Sequence, residues 1–137
     1  MRIGILGTGV VGQTLAAKLD ELGHDVKIGS RDPERSFAAA AEHGELVFNA
    51  TPGGVTLDVL RMAGAGNLAG KVLVDVCNAL DFSGGFPPTL SVCNDDSVAE
   101  QIQREFPDVR VVNSLNTVNA QVMTNPGLVP GDLMRGE

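Results

Sequence analysis

Arg2-Ile3-Gly4-Ile5-Leu6-Gly7-Thr8-Gly9-Val10-Val11-Gly12 opens the chain and decides how the rest is read. Residues 2–7 form a short apolar run of the kind that makes a buried strand. Val11, Leu15, Leu19 and Leu22 then recur on one face of a helix from Val10 to Leu22, which Gly23 stops. Between strand and helix stands Gly7-x-Gly9-x-x-Gly12. Each glycine has its own reason. Gly7 permits a tight turn, Gly9 lets the backbone approach a pyrophosphate without a Cβ in the way, and Gly12 lets the helix pack close to the strand. The helix N-terminus offers free N–H groups and positive dipole to phosphates. A glycine motif alone is weak, because a glycine-rich turn in a generic α/β domain carries the same residues. Here a strand precedes it, a helix follows and a second strand ends at the expected distance, which makes it a dinucleotide-binding loop.

Outward from this loop the pattern repeats. Residues 25–30 read as a second strand and residues 33–42 as a short Ala-rich helix. Leu46 to Ala50 reads as a third strand, closed by the turn Thr51-Pro52-Gly53-Gly54. Residues 55–63 suggest a helix with Val55, Val59 and Met62 on one face. Lys71 to Val76 is a near-continuous apolar strand, as expected for burial on both faces. Residues 78–94 read as a long loop. Ser97 and Glu100 form an S-x-x-E capping box for a helix running to about Phe106, with Val98, Ile102 and Phe106 inward. Val109 to Val112 is a fifth strand, residues 116–124 a further helix, and the Pro- and Gly-bearing tail from about residue 125 is loose. Strands alternating with helices imply parallel pairing through right-handed crossovers. The fold expected is a single α/β domain over residues 1–137, a Rossmann-type three-layer sandwich with a mostly parallel sheet of about five strands.

Composition narrows the function. A chain of 137 residues, 43% hydrophobic and 20% charged, is an ordinary globular domain able to bury a core without metals or disulfides. Ten Lys and Arg against 17 Asp and Glu leave a net charge of −7, which argues against nucleic acid or an anionic membrane as the main partner. No apolar run approaches the roughly 18 residues of a membrane span. The glycines at 4, 7, 9 and 12 spoil the N-terminus as a signal peptide, so a cytoplasmic protein is expected. With no Tyr, a Tyr-x-x-x-Lys catalytic pair is excluded. Two His and two Cys, Cys77 and Cys93, do not cluster as zinc ligands, so no metal is expected. The cysteines read as reduced thiols.

Which dinucleotide binds is decided at the tip of the second strand. NAD sites usually carry Asp or Glu there, about 20 residues beyond the loop, to hold the ribose 2′-OH. This chain has Ser30 and then Arg31, with Arg35 one turn on. A hydroxyl and a guanidinium suit a 2′-phosphate, so NADP is favoured over NAD. Asp32 is a counterweight, as a partner for Arg35. Thr51 and Pro52 follow the third strand, Cys77 and Asn78 the fourth, and Asn116 and Asn119 the fifth. These polar groups converge on one crevice and suit binding more than acid–base catalysis. No catalytic residue is singled out. His24 and His43 read as structural, Cys77 as a semi-buried small side chain, and Asp75 as a buried carboxylate that organises a loop.

Four stretches carry a resemblance to a known family: Ile3–Gly12, Ile28–Pro33 (Ile-Gly-Ser-Arg-Asp-Pro), Val74–Ser83 (Val-Asp-Val-Cys-Asn-Ala-Leu-Asp-Phe-Ser) and Val111–Asn119 (Val-Val-Asn-Ser-Leu-Asn-Thr-Val-Asn). With them the chain resembles the F420-dependent NADP reductases over most of its length. The resemblance implies an oxidoreductase that exchanges hydride between NADPH and a deazaflavin or flavin-type acceptor. It maps the 2′-phosphate grip onto Ser30, Arg31 and Arg35. It maps loop contacts onto Thr8, Gly9, Val10 and Val11, and nicotinamide-side contacts onto Thr51, Pro52 and Asn78. Such enzymes stack two cofactor rings, with the protein supplying orientation. Three departures stand out. The ten residues between Arg35 and Leu46 leave little room for the longer helix and extra strand of relatives, so one edge strand is expected to be missing. Many relatives have Lys where this chain has Asn113. Relatives also continue beyond Gly131, completing the deazaflavin site and the homodimer, so this chain reads as a shortened member. Two other readings are a non-catalytic NADP-binding module or sensor, and a flavin or ferric reductase.

Overall fold

The computed structural model describes residues 1–76, 80–81, 89–90, 98–115 and 123–125. Strands β1 (Arg2–Leu6), β2 (Asp25–Gly29), β3 (Leu46–Asn49) and β4 (Val72–Asp75) join β7 (Arg110–Asn113) in one parallel sheet of order β2-β1-β3-β4-β7. Two-residue strands β5 (Leu80–Asp81) and β6 (Thr89–Leu90) pair antiparallel within the stretch expected to be one long loop. Helices are α1 (Val10–Glu21), α2 (Phe37–His43), α3 (Thr56–Ala63), α4 (Ala65–Leu68) and α5 (Val98–Glu105). The doubly wound parallel sheet is the Rossmann-type architecture expected. Among the described residues no strand pairs with the outer side of β2, which forms one edge of the sheet, and just past its end an isolated parallel bridge joins Ser30 to Ser36.

Alternation along each strand feeds two cores. On one face Ile3 and Ile5 pack under Leu15 and Ala16 of α1, with Val76 alongside. On the other, Leu6, Val47 and Leu73 pack against α2, α3, α4 and α5 through Ala40, Leu60, Leu68 and Ile102. Val98, Ile102 and Phe106 are all buried, as their spacing requires. Ser97, the expected cap of α5, lies outside the described residues.

The short α2 closes the gap between β2 and β3 by lying almost on the backbone of the sheet. A Cβ on Gly4 would strike the Ala40 carbonyl, and one on Gly29 would stand 2.9 Å from the Ala40 Cβ. Small residues on both partners remove the space that a longer connection needs. The helix begins later than its composition suggests. Pro33–Arg35 form a single 3-10 turn capped by Asp32, and Ser36 is extended and caps α2 by accepting from the Ala39 N–H at 3.1 Å. At its other end the Lys71 ammonium donates to the Ala41 carbonyl at 2.6 Å and the Glu42 carbonyl at 3.3 Å. Burial there lowers the Lys71 pKa below its ordinary value.

Two residues expected on inner helix faces point outward. Leu22 is the C-cap of α1 and is 62% exposed, because the helix ends one residue earlier than its apolar period suggests. Met62 is 46% exposed, since α3 turns Thr56, Val59, Leu60 and Ala63 inward instead. Arg61, on the outer face of α3, pairs with Asp58 at 2.8 Å and with Glu105 of α5. Hydrogen bonding to Glu105 raises its pKa further.

Candidate functional site

The sheet order reverses between β1 and β3, and open α/β sheets bind ligands in the crevice at that switch, beyond the carboxyl ends of the strands. A cavity of about 740 Å³ opens there, within the usual size of a ligand pocket. Gly7, Thr8, Gly9, Val10 and Val11 form one wall, Ser30, Arg31 and Asp32 a second, and Thr51, Pro52 and Gly53 a third. Phe37, Val55, Val59 and Val76 supply an apolar lining that the sequence reading did not single out.

The three glycines occupy different situations. Gly7 has φ +120, and a Cβ there would also lie 2.8 Å from the Ala50 carbonyl. A Cβ on Gly12 would collide with the Gly7 carbonyl, so α1 crosses the loop in direct backbone contact. Gly9 has φ −72, which any residue adopts, and a Cβ there meets no protein atom within 4 Å. Fold geometry accounts for the first two. For Gly9 the open space is in the cavity wall, and no protein atom among the described residues accounts for the missing Cβ. Gly9 is also the N-cap of α1, with no side-chain cap and no acidic residue in the first turn. The end of the helix is thus free of competing acceptors and suits an anion. Gln13 Nε2 donates to the Thr8 carbonyl at 2.6 Å and clips the loop to α1.

The turn after β2 is rigid. The Ser30 N–H donates to the Arg35 carbonyl at 2.6 Å, and its hydroxyl donates to the same oxygen at 3.2 Å while accepting from the Asp32 N–H at 3.1 Å. The Ser30 hydroxyl proton is therefore committed within the turn, leaving it the lesser contributor toward a phosphate. The Asp32 carboxylate accepts from the Glu34 N–H at 3.0 Å. Among the described residues Arg31 and Arg35 take part in no ion pair, and both are exposed. The expected counterweight of Asp32 on Arg35 is therefore absent from this turn. Arg31 lines the main cavity. Arg35 instead borders a neighbouring hollow with Thr8, Gln13 and Ile28.

At the far wall Thr51 is buried and Pro52 exposed. Thr51 is held by Asn49, which is fully buried and which the sequence reading passed over. Its signal was legible: Asn49 and Asp75 are polar ends on two otherwise apolar strands. Asn78, Asn116, Cys77 and Asn119 lie outside the described residues. His43 ends α2 and has its Nε2 3.1 Å from the Asp25 carbonyl oxygen, far from the crevice, as its structural reading requires. The Nδ1 of His24 is buried and has no hydrogen-bond partner among the described residues.

Comparison with known proteins places this geometry. The family described as NADP oxidoreductase, coenzyme F420-dependent matches residues 2–79. A crystal structure from Arthrobacter sp. FB24, provisionally titled an F420-dependent NADP-reductase, superposes with a TM-score of 0.92 at 49% identity. That match covers 96% of this chain and 69% of the Arthrobacter chain. The rat metalloreductase STEAP3 is 30% identical over 87% of this chain, which spans only 25% of that protein. An imine reductase from Streptomyces aurantiacus, 19% identical with a TM-score of 0.58 over 82% of this chain and 39% of its own, shares the fold. No helix among the described residues is long and apolar enough to cross a membrane. With its family profile matched over more than half its length, the chain belongs to the coenzyme F420-dependent NADP oxidoreductases.

Proposed function

We propose that this chain binds NADP and exchanges hydride between NADPH and an acceptor of the deazaflavin F420 or flavin type, in the cytoplasm. The observation that carries the reading is the pairing of two features at one cavity. An open Gly9 stands beneath an uncapped helix end, and Arg31, which has no carboxylate partner among the described residues, stands at the tip of β2. The loop N–H groups would hold the pyrophosphate and Arg31 the 2′-phosphate, with Arg35 adding charge from the adjoining hollow. Phe37, Pro52, Val55 and Val59 offer apolar surface for the rings. When bound, NADPH supplies the hydride, and the residues here bind and orient it. Among the described residues the lining contains one ionisable acid, Asp32, and its carboxylate caps a turn, which agrees with a transfer that needs no protein acid or base. A homodimer is the assembly we propose by analogy with the family.

The likeness to a metalloreductase favours a second acceptor class, a flavin that passes electrons to ferric ion. Calorimetric titration of the purified chain with NADPH and then NADH tests the binding half. The expected result is NADPH binding at least tenfold tighter. Oxidation of NADPH is then followed with F420, FMN, FAD and ferric chelates. Turnover with F420 supports the deazaflavin reading, and turnover only with flavin or iron supports the second. Tight NADPH binding with no turnover would identify a binding module without catalysis of its own.

A further inference from the structure

Behind the cavity lies a buried polar cluster in which Asn49 ends β3, Asp75 ends β4 and Thr56 opens α3. Asn49 Nδ2 donates to Asp75 Oδ1 at 2.9 Å and to Thr56 Oγ1 at 3.1 Å. Asn113 Nδ2 of β7 reaches the other carboxylate oxygen of Asp75 at 3.4 Å. A carboxylate accepts and does not donate, so Asp75 dictates which end of the Asn49 amide faces it. The Asn49 oxygen is thereby turned to Thr51, accepting from its N–H at 3.3 Å and its hydroxyl at 2.6 Å. Among the described residues the other acceptor within reach of this hydroxyl, Thr56 Oγ1 at 3.1 Å, also belongs to the cluster. Thr56 itself donates to the Pro52 carbonyl at 3.1 Å. The Thr51 proton is held inward by Asn49, so the hydroxyl oxygen of this cavity-lining residue keeps only the capacity to accept.

We propose that Asp75, acting through Asn49, is a positioning residue that presets Thr51 as a hydrogen-bond acceptor, and that the site thereby selects nicotinamide by the N–H of its carboxamide. The inference rests on the nucleotide reading above. Thr51 stands on the side of the glycine loop away from Arg31, so with the 2′-phosphate at Arg31 it faces the nicotinamide half. Of the groups on that half, phosphate and carbonyl oxygens only accept. Ribose hydroxyls donate or accept as required and gain nothing from a preset partner. The carboxamide N–H demands an acceptor.

The test compares two ligands, NADP and its 3-acetylpyridine analogue, in which a methyl replaces the amide nitrogen. The readout is the ratio of their dissociation constants by calorimetry, which a general loss of packing would not change. The intact chain is expected to bind the analogue about fivefold more weakly, the worth of one hydrogen bond. Asp75→Asn leaves the Thr51 N–H, at 3.3 Å, as the one fixed donor that still orients the Asn49 amide, so the ratio should fall to about two or less. Thr51→Val should abolish the preference and Thr51→Ser should keep it. If Asp75→Asn does not fold by circular dichroism, the Thr51 pair decides. Equal ratios in Thr51→Val and the intact chain overturn the inference, as does an unchanged ratio in a folded Asp75→Asn. Those outcomes leave the nucleotide reading standing. Failure of the intact chain to bind NADP at all overturns both.

Discussion

Gly9 and Gly12 lie three residues apart and answer to different constraints, so the same substitution should have opposite consequences. Gly12→Ala drives a Cβ into the Gly7 carbonyl and is expected to destabilise the fold by about 2–3 kcal/mol, seen as a lower denaturation midpoint. Gly9→Ala meets no protein atom and should leave the midpoint within error. It should nevertheless weaken NADPH by about tenfold or more, through lost phosphate hydrogen bonds. Arg31→Ala should weaken NADPH by about 10- to 100-fold and NADH by little, because only the former carries the 2′-phosphate. Equal weakening would mean that Arg31 does not read that phosphate. At this scale the sequence was most legible where one residue type has one physical use, as for Gly7, whose φ is +120. It was less legible where a side chain serves its own turn. In the sequence Ser30 looks like a ligand contact and Asp32 like a partner for Arg35, and both spend hydrogen bonds on residues 30–35.

At the scale of elements, α2 is the exposed point of the design. It has seven residues, lies directly on the sheet, and is fixed at one end by Ser36 and at the other by Lys71. Ser36→Ala removes the cap and should cost about 1 kcal/mol in denaturant unfolding. Lys71 carries a pH signature. Its folded pKa lies below the ordinary 10.5, so between those two values the unfolded chain binds more protons. Stability from this group therefore rises with pH across that window and is flat below it. The stability difference between the intact chain and Lys71→Met should show that rise, and a difference constant from pH 8 to 10.5 would refute it. Periodicity located every strand of the main sheet and the inner face of α5. It misplaced Leu22 and Met62 because apolar spacing does not say where a helix ends or which of two apolar stripes wins. Composition alone ran the helix back to Pro33, where the Asp32 and Ser36 caps impose a 3-10 turn and a break. Asn49 escaped notice because its partners, Asp75 and Thr56, come together only when β3, β4 and α3 are assembled.

For the whole molecule, ligand binding and stability are one equilibrium. NADPH held only by the folded chain should, at a hundredfold its dissociation constant, add about 2.7 kcal/mol and raise the melting temperature by on the order of 10 °C. NADH at the same concentration should raise it far less, and equal shifts would remove the case for NADP. The order β2-β1-β3-β4-β7 also has a temporal side. Of the described strands the first in order, β1, is an interior strand, and both its neighbours and the helices covering both its faces are complete by Asn49. Apart from Val76, every cavity residue among those described precedes Leu60. Because chains emerge from synthesis N-terminus first, the glycine loop, Arg31 and the Thr51 turn can meet before β4 and β7 exist. Val76 aside, the cavity residues and the first three strands thus share one short stretch of chain, and β4 and β7 extend the sheet from it along a single edge.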